Sequence, residues 1–437
     1  MRAEKHQKHH ERGHPAMSSS SASRGTFFGW WVTAGAFVLA VFGWGLGFYG
    51  PPVFLGVLYE TRGWPLGLIS AAITLHYLVG AALAARLPSL HARFGLARFT
   101  QMGVLALSLG LIGWALAAEP WQLFIAAAVS GAGWSASSAA AINAIIAPWF
   151  VRARPAALGM AYNGGSVGGI LFSPLWVATI SFLGFPLAAA AIGLTAVVTV
   201  GVISATLFAR TPEQIGLAPD GDAVGKAAVS VTSPHARLLP GALLWRDRTF
   251  LTLTAGMALG LFAQLGLITH LFSLLLPAFG AQRAGFAMAF VTVMAVAGRT
   301  LLGWLMPIGA DRRVISCLGY GMQLAGSLAF LAAGGTNVAL LLTGIALFGI
   351  GFGNATSLPP LIAQVEFVKE EVLRVVALMV AIGQATYAFA PAAFGLIREL
   401  TPPIEGANAG AAPWVFIAAA VFQGLAILAM LAGRKPR

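Results

Sequence analysis

Residues 154–161 read RPAALGMA, and residues 374–381 read RVVALMVA. The two stretches share the pattern Arg-x-x-Ala-Leu-x-x-Ala at an offset of 220 residues, about half of the 437-residue chain. Upstream of them, Gly131-Ala-Gly133-Trp134 pairs with Gly349-Ile-Gly351-Phe352. Chance similarity between Ala/Gly-rich helices is a competing explanation, but the charged Arg anchors at equivalent positions favour an internal duplication. Such duplication is typical of transporters with two rocking halves around a central site.

The composition is that of a membrane protein. The chain is 58% hydrophobic and 9% charged, whereas soluble domains are about 25% charged. A membrane-spanning helix needs about 20 apolar residues. Twelve segments meet this requirement, six on each side of a polar stretch: 28–50, 66–87, 99–118, 120–147, 155–180, 185–208, 250–276, 284–308, 314–334, 338–364, 372–397 and 413–433.

These patterns predict an all-α polytopic membrane protein whose twelve transmembrane helices form two pseudo-symmetric six-helix bundles. The predicted parts are a disordered cytoplasmic N-terminal tail (1–26), a first bundle (27–208), a cytoplasmic linker (209–248), a second bundle (249–433) and a C-terminal tail (434–437).

The basic residues predict the orientation. With the N-terminus inside, 22 of the 26 Lys and Arg lie in tails and loops on the cytoplasmic side, and three lie opposite. Cytoplasmic loops carry such an excess, so we expect both termini in the cytoplasm of a bacterial inner-membrane protein. The same bias explains the net charge of +12 without nucleic acid as a partner. We expect a monomer in the lipid bilayer.

The chemistry of catalysis is missing from the apolar segments. They contain no nucleophile–base pair and no cluster of metal ligands, so we predict neither an enzyme nor a cofactor or metal site. The single cysteine, Cys317, excludes an intrachain disulfide. A membrane scaffold or sensor is also disfavoured, because no soluble domain is present to report a signal.

Three stretches resemble the major facilitator superfamily, and within it the monocarboxylate transporters and their oxalate/formate-exchanger relatives. They are an aromatic opening of the first helix (25–31, GTFFGWW), the fourth loop and fifth helix (149–168, from Trp149-Phe150), and Gly298-Arg299 followed by Leu302-Gly303-Trp304 and Asp311-Arg312. The resemblance covers residues 26–433. It implies a cavity lined by helices one, four, seven and ten, and transport by alternating access.

The sequence departs from this family where protons are handled. The loop after the second helix reads Ala92-Arg93-Phe94-Gly95 and lacks the usual acid, and Ala295 stands where animal members have an acid before the eighth-helix Arg. Their first-helix Lys falls near Pro51-Pro52. The proton-coupling part of the resemblance therefore does not carry over.

Arg299 is the strongest candidate for binding substrate. It alone among the charged residues lies deep inside a long apolar segment, roughly 13 Å from the cytoplasmic end at 1.5 Å per residue, whereas Arg86 and Arg374 lie at the ends of theirs. A charge at this depth costs a few kcal/mol and usually marks a pathway or site. A guanidinium binds a carboxylate through two parallel hydrogen bonds. The alternative is a structural Arg bonded to carbonyl groups.

Other polar residues interrupt the apolar helices. Tyr49, Asn354 and Tyr387 are further candidates for substrate binding, because polar side chains avoid lipid. His270 is a candidate for substrate binding or proton relay, and His76 for proton relay. Hydrogen-bonded packing is the alternative for each of them.

Charged residues in equivalent loops are candidates for a latch that holds one conformation. The alternative is that they only set the membrane orientation. The set comprises Arg93, Arg154, Asp311, Arg312 and Arg374.

The sequence thus predicts a secondary active or facilitative transporter for a small organic anion, a mono- or dicarboxylate, that works by alternating access. The alternative within the same fold is an efflux transporter for a neutral or amphipathic compound. In that case Arg299 would be structural.

Overall fold

The computed structural model describes residues 27–221, 241–306, 310–401 and 410–434. The first half contains α1 (Phe28–Gly47), α2 (Gly50–Arg62), α3 (Leu66–Ala84), α4 (Leu87–Phe94), α5 (Leu96–Leu116), α6 (Pro120–Trp134), α7 (Ala139–Ile146), α8 (Arg154–Leu183) and α9 (Phe185–Ile203). The second half contains α10 (Gly241–Leu244), α11 (Arg248–Phe279), α12 (Ala281–Leu305), α13 (Arg312–Ala333), α14 (Val338–Phe352), α15 (Leu358–Glu366), α16 (Lys369–Ala388), α17 (Ala390–Leu400) and α18 (Pro413–Ala432).

These helices form twelve membrane spans, numbered here in chain order. Four spans consist of two helices: span 1 (α1 and α2), span 4 (α6 and α7), span 10 (α14 and α15) and span 11 (α16 and α17). Spans 2, 3, 5, 6, 7, 8, 9 and 12 are α3, α5, α8, α9, α11, α12, α13 and α18. In the described part of the chain, eleven spans are long and apolar enough to cross a membrane, and span 10 is divided into shorter pieces. The predicted fold class is confirmed.

Some predicted parts fall outside the described residues. They are the N-terminal tail (1–26), nearly half of the linker (222–240) and the last three residues of the C-terminal tail.

Span 1 is longer than predicted. We expected it to end near residue 50, but it continues through α2 to Arg62. Pro51 and Pro52 occupy the first turn of α2, where a missing N–H breaks no helical hydrogen bond. The two prolines therefore start a second helix instead of ending the span.

The break in span 4 is stabilised by serine side chains. Ser135 and Ser137 donate to the carbonyl groups of Ala132 and Trp134. Ser138 accepts from the N–H of Ala141 and caps α7. A hydroxyl can thus satisfy backbone groups where the helix is interrupted.

Close glycine contacts show the internal symmetry. In the first half, Gly131 lies against the backbone of His76 in span 2, and Gly133 lies against span 3. In the second half, Gly349 lies against Val291 in span 8, and Gly351 lies against span 9. Span 4 therefore crosses spans 2 and 3 as span 10 crosses spans 8 and 9, and small residues permit the close approach.

The two halves meet along two symmetry-related pairs of spans, 2 with 11 and 5 with 8. We call the end of the molecule at which spans 1 and 7 begin the basic end, because most Lys and Arg lie there. A glycine permits close approach in each pair: Gly285 of span 8 lies against Pro174 of span 5, and Gly395 of span 11 lies against Ser70 of span 2. Both contacts lie toward the end opposite the basic end.

Gly298→Ala tests the packing of span 8 on span 10. A methyl group at Gly298 would overlap the carbonyl group of Ile350, so we expect the substitution to destabilise the protein by about 1–3 kcal/mol. The matched control is Gly321→Ala, where no atom lies within 4 Å of the added carbon. Because alanine favours a helix by about 1 kcal/mol, the control should hold or raise the thermal unfolding midpoint in detergent. Equal midpoints for the two variants would contradict the close contact.

Candidate functional site between the two halves

One face of α1 is only partly buried, and we call the space beside it the cleft. Phe37, Val41, Trp44 and Phe48 recur every three or four residues and are only partly buried. The opposite face packs into the first half, where Leu39, Phe42, Gly43 and Leu46 contribute to a void of about 10 Å³ against spans 3 and 6. Residues 49–56 are fully buried. The partly exposed face of α1 therefore ends near Phe48.

Five aromatic residues lie near the inner end of this exposed face. We call them the aromatic wall: Trp44, Phe48, Tyr49, Tyr77 and Tyr387. Phe48 lies 5.0 Å from Tyr49 and 6.3 Å from Tyr77 between ring centroids. Tyr77 of span 2 lies 6.2 Å from Tyr387 of span 11. The two halves are therefore joined by the edge-on pair Tyr77 and Tyr387, a geometry that stabilises aromatic pairs beyond their buried area.

Arg299 lies beside the aromatic wall. Its guanidinium lies close to Tyr49, and Tyr49 also lies near Thr292, which is two helical turns before Arg299 on the same face of span 8. Arg299 Nε donates to the carbonyl oxygen of Gly353 at 3.1 Å. In the described part of the chain, no carboxylate pairs with this guanidinium. The structure thus brings together Arg299, Tyr49 and, through Tyr77, Tyr387.

Asn354 lies apart from Arg299, on the side of span 10 that faces span 9. It lines a narrow void with Ser316, Gly319 and Tyr320. Its Nδ2 donates to Ile350 at 3.4 Å, and its buried Oδ1 has no partner among the described residues. Its predicted contact with substrate remains a prediction that this geometry does not favour.

His270 does not lie in the cleft but toward the end opposite the basic end, which we call the closed end. The side chain is fully buried in span 7. Its Nε2 lies 3.3 Å from the carbonyl oxygen of Pro391 and 3.5 Å from Ser70 Oγ, which belongs to the other half. The role of His270 in substrate binding or proton relay stays a prediction.

His76 is held inside the first half. Its Nδ1 lies 2.8 Å from Ser130 Oγ. The same hydroxyl lies 3.1 Å from the carbonyl oxygen of Ala127 and accepts from Trp114 Nε1. The His76 ring therefore serves as a hydrogen-bonded packing group in this conformation.

The predicted latch residues of the first half make contacts within that half. Arg154 donates to Asn143 Oδ1 at 3.0 Å. Arg93 lies over the ring of Phe94, with 5.2 Å from its guanidinium carbon to the centroid. Neither contact joins the halves in this conformation.

The latch residues of the second half behave in the same way. Asp311 caps α13 through the N–H groups of Arg313 and Val314 and lies 2.7 Å from Arg434 Nε. Burial opposes ionisation of Asp311, but these donors outweigh it and hold the pKa of the carboxyl below its ordinary value.

The other two cations also bind within the second half. Arg312 donates to the carbonyl oxygen of Leu361, and Arg374 lies 3.8 Å from Glu371 one helical turn earlier. A role of these residues in latching stays a prediction for another conformation.

The sequence reasoning missed the most extensively bonded cation. Arg313 is 1% exposed and forms two parallel hydrogen bonds to Glu366, at 2.7 and 2.8 Å. It also donates to Thr249, Thr252 and Met430. This network joins spans 7, 9, 10 and 12 at the basic end. Both residues lie just outside the predicted apolar segments 314–334 and 338–364, so neither was a candidate for an interior contact.

The contacts of Arg398, which is partly buried, and of Glu399, which is exposed, were also missed. Arg398 Nη1 donates to Ser273 Oγ at 2.6 Å, which ties span 11 to span 7. Glu399 Oε2 accepts from the N–H of Gly67 at 2.8 Å, in the first turn of span 2. An adjacent pair of opposite charges at the end of a span is the only signal in the sequence for this contact.

The closed end is therefore held by hydrogen bonds between spans 2 and 11. Besides the Glu399–Gly67 bond, Thr74 Oγ1 accepts from the N–H of Ala392 at 3.0 Å. A carboxylate at a helix N-terminus is stabilised by the partial positive charge there. Glu399 thus closes this end by capping a helix of the other half.

Comparisons with known proteins agree with this architecture. The sequence profile of the Major Facilitator Superfamily matches residues 36–391. The solved nucleoside transporter NupG is similar over 93% of this chain and 98% of its own, with a TM-score of 0.68 and 12% identity. A bacterial homologue of the human lysosomal transporter Spinster, in an inward-facing and unoccupied conformation, covers 94% of this chain and 99% of its own, with a TM-score of 0.71 and 15% identity. No curated protein sequence matches the chain.

Glu399→Gln tests the closed end. Removal of the charge weakens the cap by roughly 0.3–1 kcal/mol, so the halves should separate there about two- to fivefold more often. Ser70→Cys, placed in a Cys317→Ser background, would report this as faster reaction with a charged thiol reagent. Glu60→Gln, an exposed carboxylate at the same end, is the matched control. Equal labelling rates in the two variants would show that Glu399 does not hold this end closed.

Proposed function

Because the chain belongs to the major facilitator superfamily and is a transporter, we propose that it moves a small organic anion across the membrane by alternating access. The observation that carries this proposal is the position of Arg299. It lies beside the aromatic wall, and no described carboxylate neutralises it. A cation in such a place attracts a substrate of opposite charge.

The hydrogen bonding of Arg299 leaves room for a substrate. A guanidinium has five N–H donors in a planar fork. Within the described residues, only Nε is engaged, by Gly353. The two terminal nitrogens are therefore available to a carboxylate in a bidentate arrangement.

The Gly353 contact also orients the side chain. Gly353 lies between the two helices of span 10, where the backbone is not continuously helical. Irregular backbone at membrane depth is tolerated where it lines a cavity or is buried in protein. We therefore assign Arg299 to binding and the break in span 10 to its support.

Alternating access would follow from the two ends of the interface. Spans 2 and 11 are bonded together at one end, while α1 is partly exposed toward the basic end. In the proposed cycle, spans 2 and 11 separate at the closed end, and the cleft closes at the basic end. If basic loops are cytoplasmic, this conformation faces inward, as the Spinster homologue does in its described conformation.

The proposal leaves two modes of coupling. Anion exchange needs no further titratable group, because the charge of Arg299 is neutralised by one substrate or the next. Proton coupling would use His270, whose contacts with Ser70 across the interface open and close with the cycle.

A second candidate function is efflux of a neutral amphipathic compound. The aromatic wall favours it, because such rings bind apolar molecules of many shapes. In this case Arg299 serves only to bond Gly353, and its replacement changes stability and not selectivity.

Arg299→Gln tests the leading proposal. Loss of a charge-assisted bidentate contact removes roughly 1.5–3 kcal/mol, so we expect carboxylate uptake into proteoliposomes to fall by about ten- to a hundredfold. Arg299→Lys keeps the charge without the planar fork and should retain intermediate activity.

Arg283→Gln is the matched control, since it removes one positive charge from the exposed start of the same helix. It should transport as well as the unaltered protein. If Arg299→Gln transports carboxylates unchanged, the anion proposal is wrong. Transport of a neutral amphipath that is indifferent to Arg299 would favour the second candidate.

A further inference from the structure

The surroundings of Arg299 limit what its substrate can be. On one side is a single guanidinium whose electrostatic partner, in the described part of the chain, is the Tyr49 hydroxyl. On the other side are the rings of the aromatic wall, of which Trp44, Phe48 and Tyr387 remain partly exposed to the cleft. The site therefore combines one positive charge with an apolar, aromatic surface.

The charge balance selects a monoanion. One carboxylate neutralises one guanidinium. A second carboxylate on the same substrate would be removed from water without a cation to pair with it, which costs several kcal/mol. The other buried cations are already engaged, Arg313 by Glu366 and Arg398 by Ser273 near the closed end.

The aromatic wall restricts the part of the substrate that lies beyond its carboxylate. Ring faces carry partial negative charge and ring edges partial positive charge, so a planar ring adds to the wall in edge-on or offset contact. The existing centroid distances of 5.0–6.3 Å between Phe48, Tyr49, Tyr77 and Tyr387 are those of such packed pairs. A substrate ring would therefore lie against the wall as one more member and would not intercalate between its rings.

Resting on the proposed function, we infer that the substrate is an aromatic monocarboxylate. Its carboxylate binds Arg299, and its ring packs on Phe48 and Tyr387. A short aliphatic acid would satisfy the guanidinium but leave the wall in contact with water. A dicarboxylate would place its second charge against the rings.

The test compares ligands that differ in one property at a time, by isothermal titration of the full-length protein in detergent. Benzoate has ring and charge, acetate has charge alone, benzamide has the ring alone, and terephthalate has the ring and a second charge. Burial of a ring is a large apolar gain. We therefore expect benzoate to bind at least about tenfold more tightly than acetate, with benzamide and terephthalate weaker than benzoate.

Phe48→Leu separates the ring preference from the charge. It should reduce the benzoate-to-acetate ratio at least about threefold, while acetate affinity stays unchanged. Phe42→Leu is the matched control, because Phe42 lies on the same helix but packs on Phe172 at 5.6 Å between centroids. It should leave the ratio unchanged and so exclude a general effect of losing a ring from α1.

The outcomes distinguish this inference from the function on which it rests. If acetate or terephthalate binds as tightly as benzoate, and binding requires Arg299, the substrate class is wrong and anion transport stands. If Phe48→Leu leaves the ratio unchanged, the wall does not select the ring. If no carboxylate binds, or if Arg299→Gln binds benzoate normally, the anion function fails as well.

Discussion

In the hydrocarbon core of a membrane, each backbone N–H and C=O group must find its partner within the protein. This constraint explains why the described chain is built from helices, and where those helices are allowed to break. The interruption of span 4 is filled by Ser135, Ser137 and Ser138. In span 10, the Gly353 carbonyl oxygen bonds Arg299, and the Phe352 carbonyl oxygen accepts from Gln264 at 2.9 Å. Both breaks lie inside the protein, and the break in span 10 also positions Arg299.

Two arginines show how the same side chain can have opposite roles. Arg313 donates to five acceptor atoms, including both oxygens of Glu366, so its burial is compensated within the protein. Arg299 has a single described acceptor, Gly353. A buried cation with a complete set of partners fixes a structure, whereas one with an incomplete set is poised to accept a ligand. The distinction depends on the folded arrangement and not on the residue type.

The sequence could predict the fold because its signals are local or repeated. Apolar segments of about 20 residues, the Arg-x-x-Ala-Leu-x-x-Ala repeat and the paired glycines at 131 and 349 each correspond to elements that the structure contains. The proximity of Arg299 and Tyr49 could not be predicted from the sequence, because it depends on how span 8 meets span 1 across the interface between the halves. Asn354 and Tyr387 looked alike in the sequence because each interrupts an apolar run. The helical face on which each lies separates them, Asn354 facing span 9 and Tyr387 facing Tyr77.

The chemistry of the closed end has a consequence for how readily it can switch. Its bonds join a hydroxyl or a carboxylate to a backbone N–H, as in Thr74 with Ala392 and Glu399 with Gly67. Bonds of this kind contribute about 1 kcal/mol each, because water replaces either partner when they separate. Ion pairs buried between the halves would instead impose a large desolvation cost in one direction and a strong salt dependence. An interface closed by a few such modest bonds keeps its two states within a few kcal/mol of each other, which is the range in which binding of one small molecule can decide between them.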